Sequence, residues 1–329
     1  MAALPLKKTP QIIERIRSLM KYETAGDPIT GLKWTRKATR KIAAELQKAD
    51  IMVSDKTVAR LLKELGFSMQ ANRKRIALSG NGSQKKREER DMQFRHICRM
   101  RDSFIRTKEP SISVDTKKKE LIGNFKNAGR VWRDQHRDVA DHDFPSYAKG
   151  KISPYGVYDT SANKASVYVG TSHDTAAFAV DSITAWWEKY GSQQYPNARR
   201  ILILADSGGS NSPSNNAWKY HLWESLCQRH GLKVTVCHYP SGASKWNPIE
   251  HRLFSEISKN WAGEPLTSLQ TALNFIRTTK TDSGLRVTAH LNRKYYKTQE
   301  KISESSLSKI SIKHYRLLPK LNYTLQPTK

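Results

Sequence analysis

Three carboxylates in this chain stand where acids could do chemistry. Asp115 ends Ser111-Ile-Ser-Val-Asp, Asp206 follows Ile201-Leu-Ile-Leu-Ala, and Glu250 closes Trp246-Asn-Pro-Ile-Glu. The first two end apolar runs of strand length. The third falls in the first turn of a helix, with Asn247 as its N-cap, Pro248 at N1 and Glu250 at N3 of a capping box. Glu250, Leu253, Phe254 and Ile257 then share one helical face, so the carboxylate lies at the end of an apolar stripe and needs a partner. Carboxylates so placed can converge on divalent cations. Hard oxygen donors without a Cys/His set select Mg²⁺ or Mn²⁺ over zinc. Two ions roughly 4 Å apart would serve the attacking and leaving oxygens of an in-line displacement at phosphorus.

Each acid also has a plainer reading: a strand cap for Asp115, a turn residue for Asp206 before Ser-Gly-Gly, and the capping box alone for Glu250. Glu120, Asp159, Asp174 and Glu256 compete with them and rank lower; Asp159 falls in a hairpin turn and Glu256 on another helical face from Glu250. His136, His142 and His173 lack zinc-ligand spacing. Lys117, Lys118 and Lys119, directly after Asp115, are candidates for holding a phosphate backbone or a solvated charge run, and Lys245 and His251 flank Glu250.

The elements that must position these residues follow from hydrophobic period. Ile112 to Val114 forms a first strand; Tyr155-Gly-Val-Tyr and Ala165 to Gly170 flank a turn at Asp159 to Asn163 as a hairpin. A helix over 175–190 follows, bringing Phe178, Ile183, Trp186 and Trp187 to a core. Arg200 to Ala205 reads as a strand buried on both faces, 216–230 as a helix, 232–237 as a strand and 247–261 as a third helix. The order predicts an α/β fold whose mixed sheet begins as a meander and continues by parallel crossovers. Loops after the parallel strands share one edge, and Asp115 and Asp206 leave neighbouring strands there. Leu285 to Leu291 suggests a further strand and Ser303 to Lys309 a short helix, in a polar, basic tail to which no chemistry is assigned.

The first third is helical in pattern. Thr39 to Lys48 carries Ile42, Ala43 and Leu46 on one face; after a break at 49–53, Ser54 caps a second helix with the stripe Val58, Leu61, Leu62, Leu65, closed by Gly66. The pair reads as an all-α helix-turn-helix, with Lys56, Thr57, Arg60 and Lys63 off the stripe as candidate DNA contacts among Arg36, Lys37, Arg40, Lys41, Arg73, Lys74 and Arg75; an ordinary helical hairpin is the alternative. Gly80 to Ser83 marks a linker before a charged helix that runs to Arg106. The expected organisation is a DNA-binding region at 1–78, a basic helical linker at 79–108, a catalytic domain at 109–275 and a basic extension at 276–329.

Composition narrows the partner. The 329 residues hold 57 Lys and Arg against 30 Asp and Glu, a formal charge of +27, which favours a polyanion because basic side chains displace counterions condensed on phosphates. Cys98, Cys227 and Cys237 form no C-x-x-C pair and suit a reducing cytoplasm. No run is long enough for a signal peptide or a membrane span.

Several segments together resemble a known family. Ser-Val-Asp-Thr-Lys-Lys-Lys-Glu at 113–120, Gly-Asn-Phe-Lys-Asn-Ala-Gly-Arg at 123–130, Pro-Tyr-Gly-Val-Tyr-Asp at 154–159, Ala-Asp-Ser-Gly-Gly-Ser-Asn at 205–211 and Ser-Lys-Trp-Asn-Pro-Ile-Glu-His-Arg-Leu-Phe at 244–254 resemble the Rhodopirellula-type DDE transposases of bacterial insertion sequences. Thr-Val-Ala-Arg-Leu-Leu-Lys-Glu-Leu-Gly-Phe at 57–67 and Gln-Ala-Asn-Arg-Lys at 70–74 match that family's N-terminal part. The resemblance implies a ribonuclease H-like core, a metal triad falling on Asp115, Asp206 and Glu250, cleavage at transposon ends and strand transfer into target DNA. The partners it implies are terminal inverted repeats and target duplex, with a homo-oligomer assembled on them. Two departures stand out: Ser207 replaces a further glycine after the second acid, and the stretch before Trp34 is shorter than the family's. The rival readings are a DNA-binding repressor without catalysis and a ribonuclease H-like nuclease.

Overall fold

The computed structural model describes residues 12–18, 25–26, 33–34, 38–65, 84–131, 137–243 and 246–328. The expectations at Arg36, Lys37, Gly66, Arg73 to Arg75, Gly80 to Ser83, His136 and Lys245 lie outside the described residues. The chain divides into two compact units, 1–75 and 76–329. Among the described residues no helix is long and apolar enough to cross a membrane.

In the first unit residues 12–18 are helical (α1). Ala25–Gly26 (β1) pairs antiparallel with Lys33–Trp34 (β2), so the unit is not all-α as expected. α2 (Thr39–Gln47) and α3 (Asp55–Glu64) follow. The Ser54 hydroxyl accepts from the Thr57 amide at 3.2 Å and caps α3, as its sequence implies. The break between the helices turns at Asp50, whose φ of 56° is in the left-handed region that Asp tolerates better than most side chains. Ile12, Ile16, Ile42, Leu46, Val58 and Leu61 form the buried core.

The second unit begins with α4 (Gln84–Arg106) and continues β3 (Ser111–Thr116), β4 (Glu120–Ile122), β5 (Gly150–Asp159), β6 (Lys164–Gly170), α5 (Ala176–Trp186), α6 (Ser192–Gln194), β7 (Arg200–Ala205), α7 (Asn216–Leu222) and β8 (Lys233–His238). After these come α8 (Ser255–Asn260), α9 (Leu269–Arg277), β9 (Arg286–Asn292), α10 (Glu304–Leu307), β10 (Ser311–His314) and β11 (Asn322–Gln326). The strands form one nine-stranded mixed sheet in the order β10-β11-β8-β7-β3-β5-β6-β9, with β4 paired to β5 off that path. β3, β5 and β6 are the expected antiparallel meander, and β3, β7 and β8 run parallel. Helices cover both faces: Ile112, Val114 and Ile203 pack with α5 and α7, while Ile152, Val167 and Val169 pack under Ile249, Leu253, Phe254 and Ile257.

Two segments belong to this sheet unit more fully than their composition suggests. α4, read as a linker, buries Ile97 and Phe104 against Leu202, Leu204 and Cys237. The tail past 275, read as an extension, supplies β9 to β6 and β11 to β8, and Tyr323 and Leu325 enter the core. Their apolar residues are few, yet alternation along β11 is enough to bury one side of the strand.

Candidate active site

β3 places its residues by strand alternation. Ile112 and Val114 face one core, and Ser113 and Asp115 the opposite side. Because β3 runs parallel to β7 with Val114 beside Ala205, the next residues in each strand direction, Asp115 and Asp206, leave the sheet edge as neighbours. Asp115 is buried, and this, with Asp206 as the next cause and Glu250 and Asp174 adding to it, pushes its carboxyl up to about 8 against the pull of the Thr116 amide. That amide donates to Asp115 Oδ1 at 2.7 Å and fixes the side chain. Burial likewise raises Asp206, eased by the Gly208 amide and the Asn211 side chain.

Glu250 arrives by a different route from the one its sequence suggests. Asn247 does not act as a side-chain N-cap. It is fully buried, its Nδ2 donates to the Val114 carbonyl at 3.2 Å, and its Oδ1 accepts from the Ser113 hydroxyl. Ser113 Oγ in turn accepts from the Ile249 amide at 3.1 Å, so a strand residue caps the helix. The capping box gives way because Asn247 is drawn into the sheet, where its amide satisfies a strand carbonyl. The clamp ties the third acid's helix to the strand that carries the first. Opposite Asp115 in the β3–β5 ladder stands Gly156, where a Cβ would come within 2.8 Å of Ile249 and Phe254. Only glycine lets the helix descend this far. Glu250 opens a π-helical turn, Glu250–Phe254, and is half-buried. Burial raises its carboxyl, while His251, Lys117 and a hydrogen bond shared with Asp115 lower it.

The second acid rests on groups from the C-terminal tail. His238 Nδ1 donates to the Asp206 carbonyl at 2.8 Å, and its Nε2 accepts from the Tyr323 hydroxyl at 3.2 Å, which accepts from Trp218 Nε1 at 2.9 Å. Buried completely, His238 is held neutral, its pKa lowered to about 4. Gln93 of α4 and Asn322 of β11 pair through both amides, and Gln93 also donates to the His238 carbonyl at 2.9 Å.

Of the competing acids, Asp159 accepts from Tyr195 and the turn amides, Glu120 pairs with Lys117 and Glu256 with Lys259. Asp174 is different. It accepts from Thr116 at 3.1 Å and raises both Asp115 and Asp206, so a fourth carboxylate stands at the site. Lys117 is buried, 2.8 Å from Glu120 and 4.5 Å over the Trp261 ring; it lends its charge to Glu250, and only Lys118 and Lys119 of the three lysines are exposed. In the other unit Lys56, Arg60 and Lys63 are exposed; Arg60 pairs with Glu64 at 2.7 Å, and the Thr57 hydroxyl is 3.0 Å from Ser54. Ser113, Gly156 and Asn211 lie inside segments quoted above but were given no role there, and His238 lies outside them. Gly156 also gives a physical signal, since an isolated glycine inside a strand marks a close backbone approach.

The donor set suits a hard divalent cation. Asp206 Oδ1 is buried without a hydrogen-bond partner, and Asp115 is strained toward protonation by neighbouring acids; a bound cation would relieve both. As the side chains stand, no three acids, histidines or cysteines among the described residues close a single metal shell. The pair formed by Asp115 and Asp206 is the nucleus of the site.

The family described as Rhodopirellula transposase DDE domain matches residues 15–327. No curated protein matches the chain. Among solved structures, the Mos1 strand transfer complex is similar at 14% identity over 87% of this chain and 75% of that one, with a TM-score of 0.45. The mariner Mos1 paired-end complex with Mg is similar at 15% identity over 87% and 76%, with a TM-score of 0.43.

Proposed function

The chain belongs to the Rhodopirellula transposase DDE domain family and is a DDE transposase, and we propose that Asp115, Asp206 and Glu250 are its triad, cutting DNA at the ends of an insertion sequence and joining those ends to target DNA. The observation that carries this reading is the side-by-side exit of Asp115 and Asp206 from parallel strands, with Glu250 clamped against the same strand by Asn247 and Ser113.

The three acids would hold Mg²⁺ or Mn²⁺, two ions in all, with Asp174 close by. When bound, such ions activate the attacking oxygen and stabilise the leaving oxygen of an in-line displacement. The chain's own groups supply placement. The Thr116 amide orients Asp115, His238 holds the backbone of Asp206, and the Asn247 clamp sets the height of Glu250. In a first displacement water cleaves the phosphodiester and leaves a 3′-hydroxyl; in a second that hydroxyl attacks a target phosphodiester, whose own 3′-oxygen departs. Lys118 and Lys119, both exposed, would meet the phosphate backbone beside Asp115, and the exposed Lys56, Arg60 and Lys63 would form the DNA-facing side of the helix pair within 1–78.

The test is single-turnover cleavage of duplex carrying the element's terminal repeats. Asp115→Asn, Asp206→Asn and Glu250→Gln should each lower the Mg²⁺-dependent rate by about 10²–10³-fold or more while repeat binding persists, as expected when preorganised electrostatic stabilisation is lost. Retained cleavage in any of the three would remove that acid from the triad. Repeat binding by wild type with no metal-dependent product would leave a repressor.

A further inference from the structure

Beyond the acids, one open groove of about 580 Å³ is lined by Arg87, Arg90, Asp91, Phe94 and Trp246. Trp246 is 55% exposed, a large apolar surface to leave in water. Phe94 meets it edge-on at 6.1 Å, and the Arg90 guanidinium lies 5.8 Å from the Phe94 ring centre. Both sides of the groove are anchored. α4 is fixed by buried Gln93, Ile97 and Phe104, and Trp246 immediately precedes the fully buried Asn247. An aromatic face rimmed by cations, with buried anchors in α4 and at Asn247, is therefore on offer.

Resting on the DNA reading above, we propose that this groove stacks one unpaired base of a DNA strand on Trp246, with Arg87 and Arg90 on the flanking phosphates. Three features favour this occupant. An indole presents a flat π-face that any base can stack on, whereas paired bases inside a duplex offer only their edges. The two arginines, offset in part by Asp91, supply the charge for a phosphodiester on either side. Trp246 is four residues from Glu250, hence at most about 14 Å along the chain, or roughly four base steps of one strand. The stacked base would belong to the strand being cut or joined. Holding it unpaired keeps the neighbouring phosphodiester accessible to the acids.

The experiment uses the full chain and two probes: a blunt duplex, and the same duplex with a short 3′ single-stranded tail carrying 2-aminopurine, whose fluorescence falls on stacking. Wild type should bind the tailed probe more tightly and quench it. Trp246→Ala should weaken tailed binding by about 5- to 150-fold, the span of one lost base–aromatic stack, and leave blunt binding within about twofold. Trp246→Phe should keep part of the quench, and unchanged blunt-duplex binding in both variants is the control that they are folded. Equal losses on both probes, no loss on the tailed probe, or an altered oligomeric mass for Trp246→Ala would each overturn the stacking site. Wild type binding neither probe would instead overturn the DNA reading on which it rests.

Discussion

Among the described residues of the N-terminal helices every buried side chain is apolar: Ile12, Ile16, Ile42, Leu46, Val58 and Leu61. In the sheet unit Gln93, Ser113, His238, Asn247 and Asn322 are as deeply buried as the leucines around them. The difference follows from what each region must hold. An aliphatic stripe decides which face of a helix pair points outward, and a cationic face needs little more, since many repackings of such a core keep it. A set of acids meant to act together needs one geometry. Buried amides and hydroxyls with all their partners in place specify it, because any other arrangement strands a polar group. Packing alone thus sets the first region, whereas the second adds a layer of satisfied hydrogen bonds to its own apolar cores.

The largest effect that should separate the two is a packing defect. Leu61→Ala removes a buried side chain from the helix-pair core and should destabilise that unit by about 2–5 kcal/mol, the range for such cavities. Hydrogen exchange should show α2 and α3 unprotected while β3, β7 and β8 keep their protection. DNA binding should fall with it. Loss of protection in the sheet as well would mean that the two units are not independently built.

The same contrast explains what was legible beforehand. The strand runs ending at Asp115 and Asp206, the hairpin turn at Asp159 to Asn163 and the helix carrying Glu250 were all readable, because period and turn chemistry are local properties of the sequence. The helix-pair stripe and the Ser54 cap were readable for the same reason. What stayed hidden is long-range. Asn247 looks like an N-cap until Val114, 133 residues away, offers its carbonyl. Tyr323 sits in a polar tail until β11 pairs with β8 and brings its hydroxyl to His238. Lys117 reads as a free cation because nothing nearby in sequence announces the Trp261 ring. Nor does period reveal the π-helical turn at Glu250–Phe254. Polar burial is decided by partners distant in the chain, so the acids were visible and their supports were not.

Acid should strike the sheet unit and spare the helix pair, which contains no histidine. His238 is neutral in the fold, its pKa lowered from 6.5 to about 4, so the unfolded chain takes up a proton that the folded one refuses between those values. Its contribution is complete above about pH 6.5, declines as pH falls and is gone near pH 4. It amounts to on the order of 3 kcal/mol. The acids Asp115 and Asp206, raised in the fold, titrate in the opposite sense, so the measurement is the stability gap between wild type and His238→Gln, in which they cancel. That gap should narrow from about pH 7 to pH 4. A gap independent of pH would show that His238 is not held neutral.

The smallest effect on stability should be the most informative about catalysis. Asn247→Ala leaves the Val114 carbonyl without its side-chain donor and the Ser113 hydroxyl without its acceptor, a loss of about 1–3 kcal/mol for buried groups left unpaired. The helix core of Ile249, Leu253, Phe254 and Ile257 is untouched, so the fold should survive. What should not survive is the register between Glu250 and Asp115. The cleavage rate on saturating DNA should fall well beyond what the stability loss explains, with Kd for the repeats unchanged. Asn247→Asp keeps the acceptor for Ser113 but sets a buried carboxylate oxygen against the Val114 carbonyl, and it should cost more stability than alanine. If alanine cost stability but left the rate intact, buried polar pairing would serve the sheet as aliphatic packing serves the helix pair, by holding the unit together and nothing more. If the rate falls while binding holds, the clamp is a positioning device, and the contrast between the two regions is one of function as well as of material.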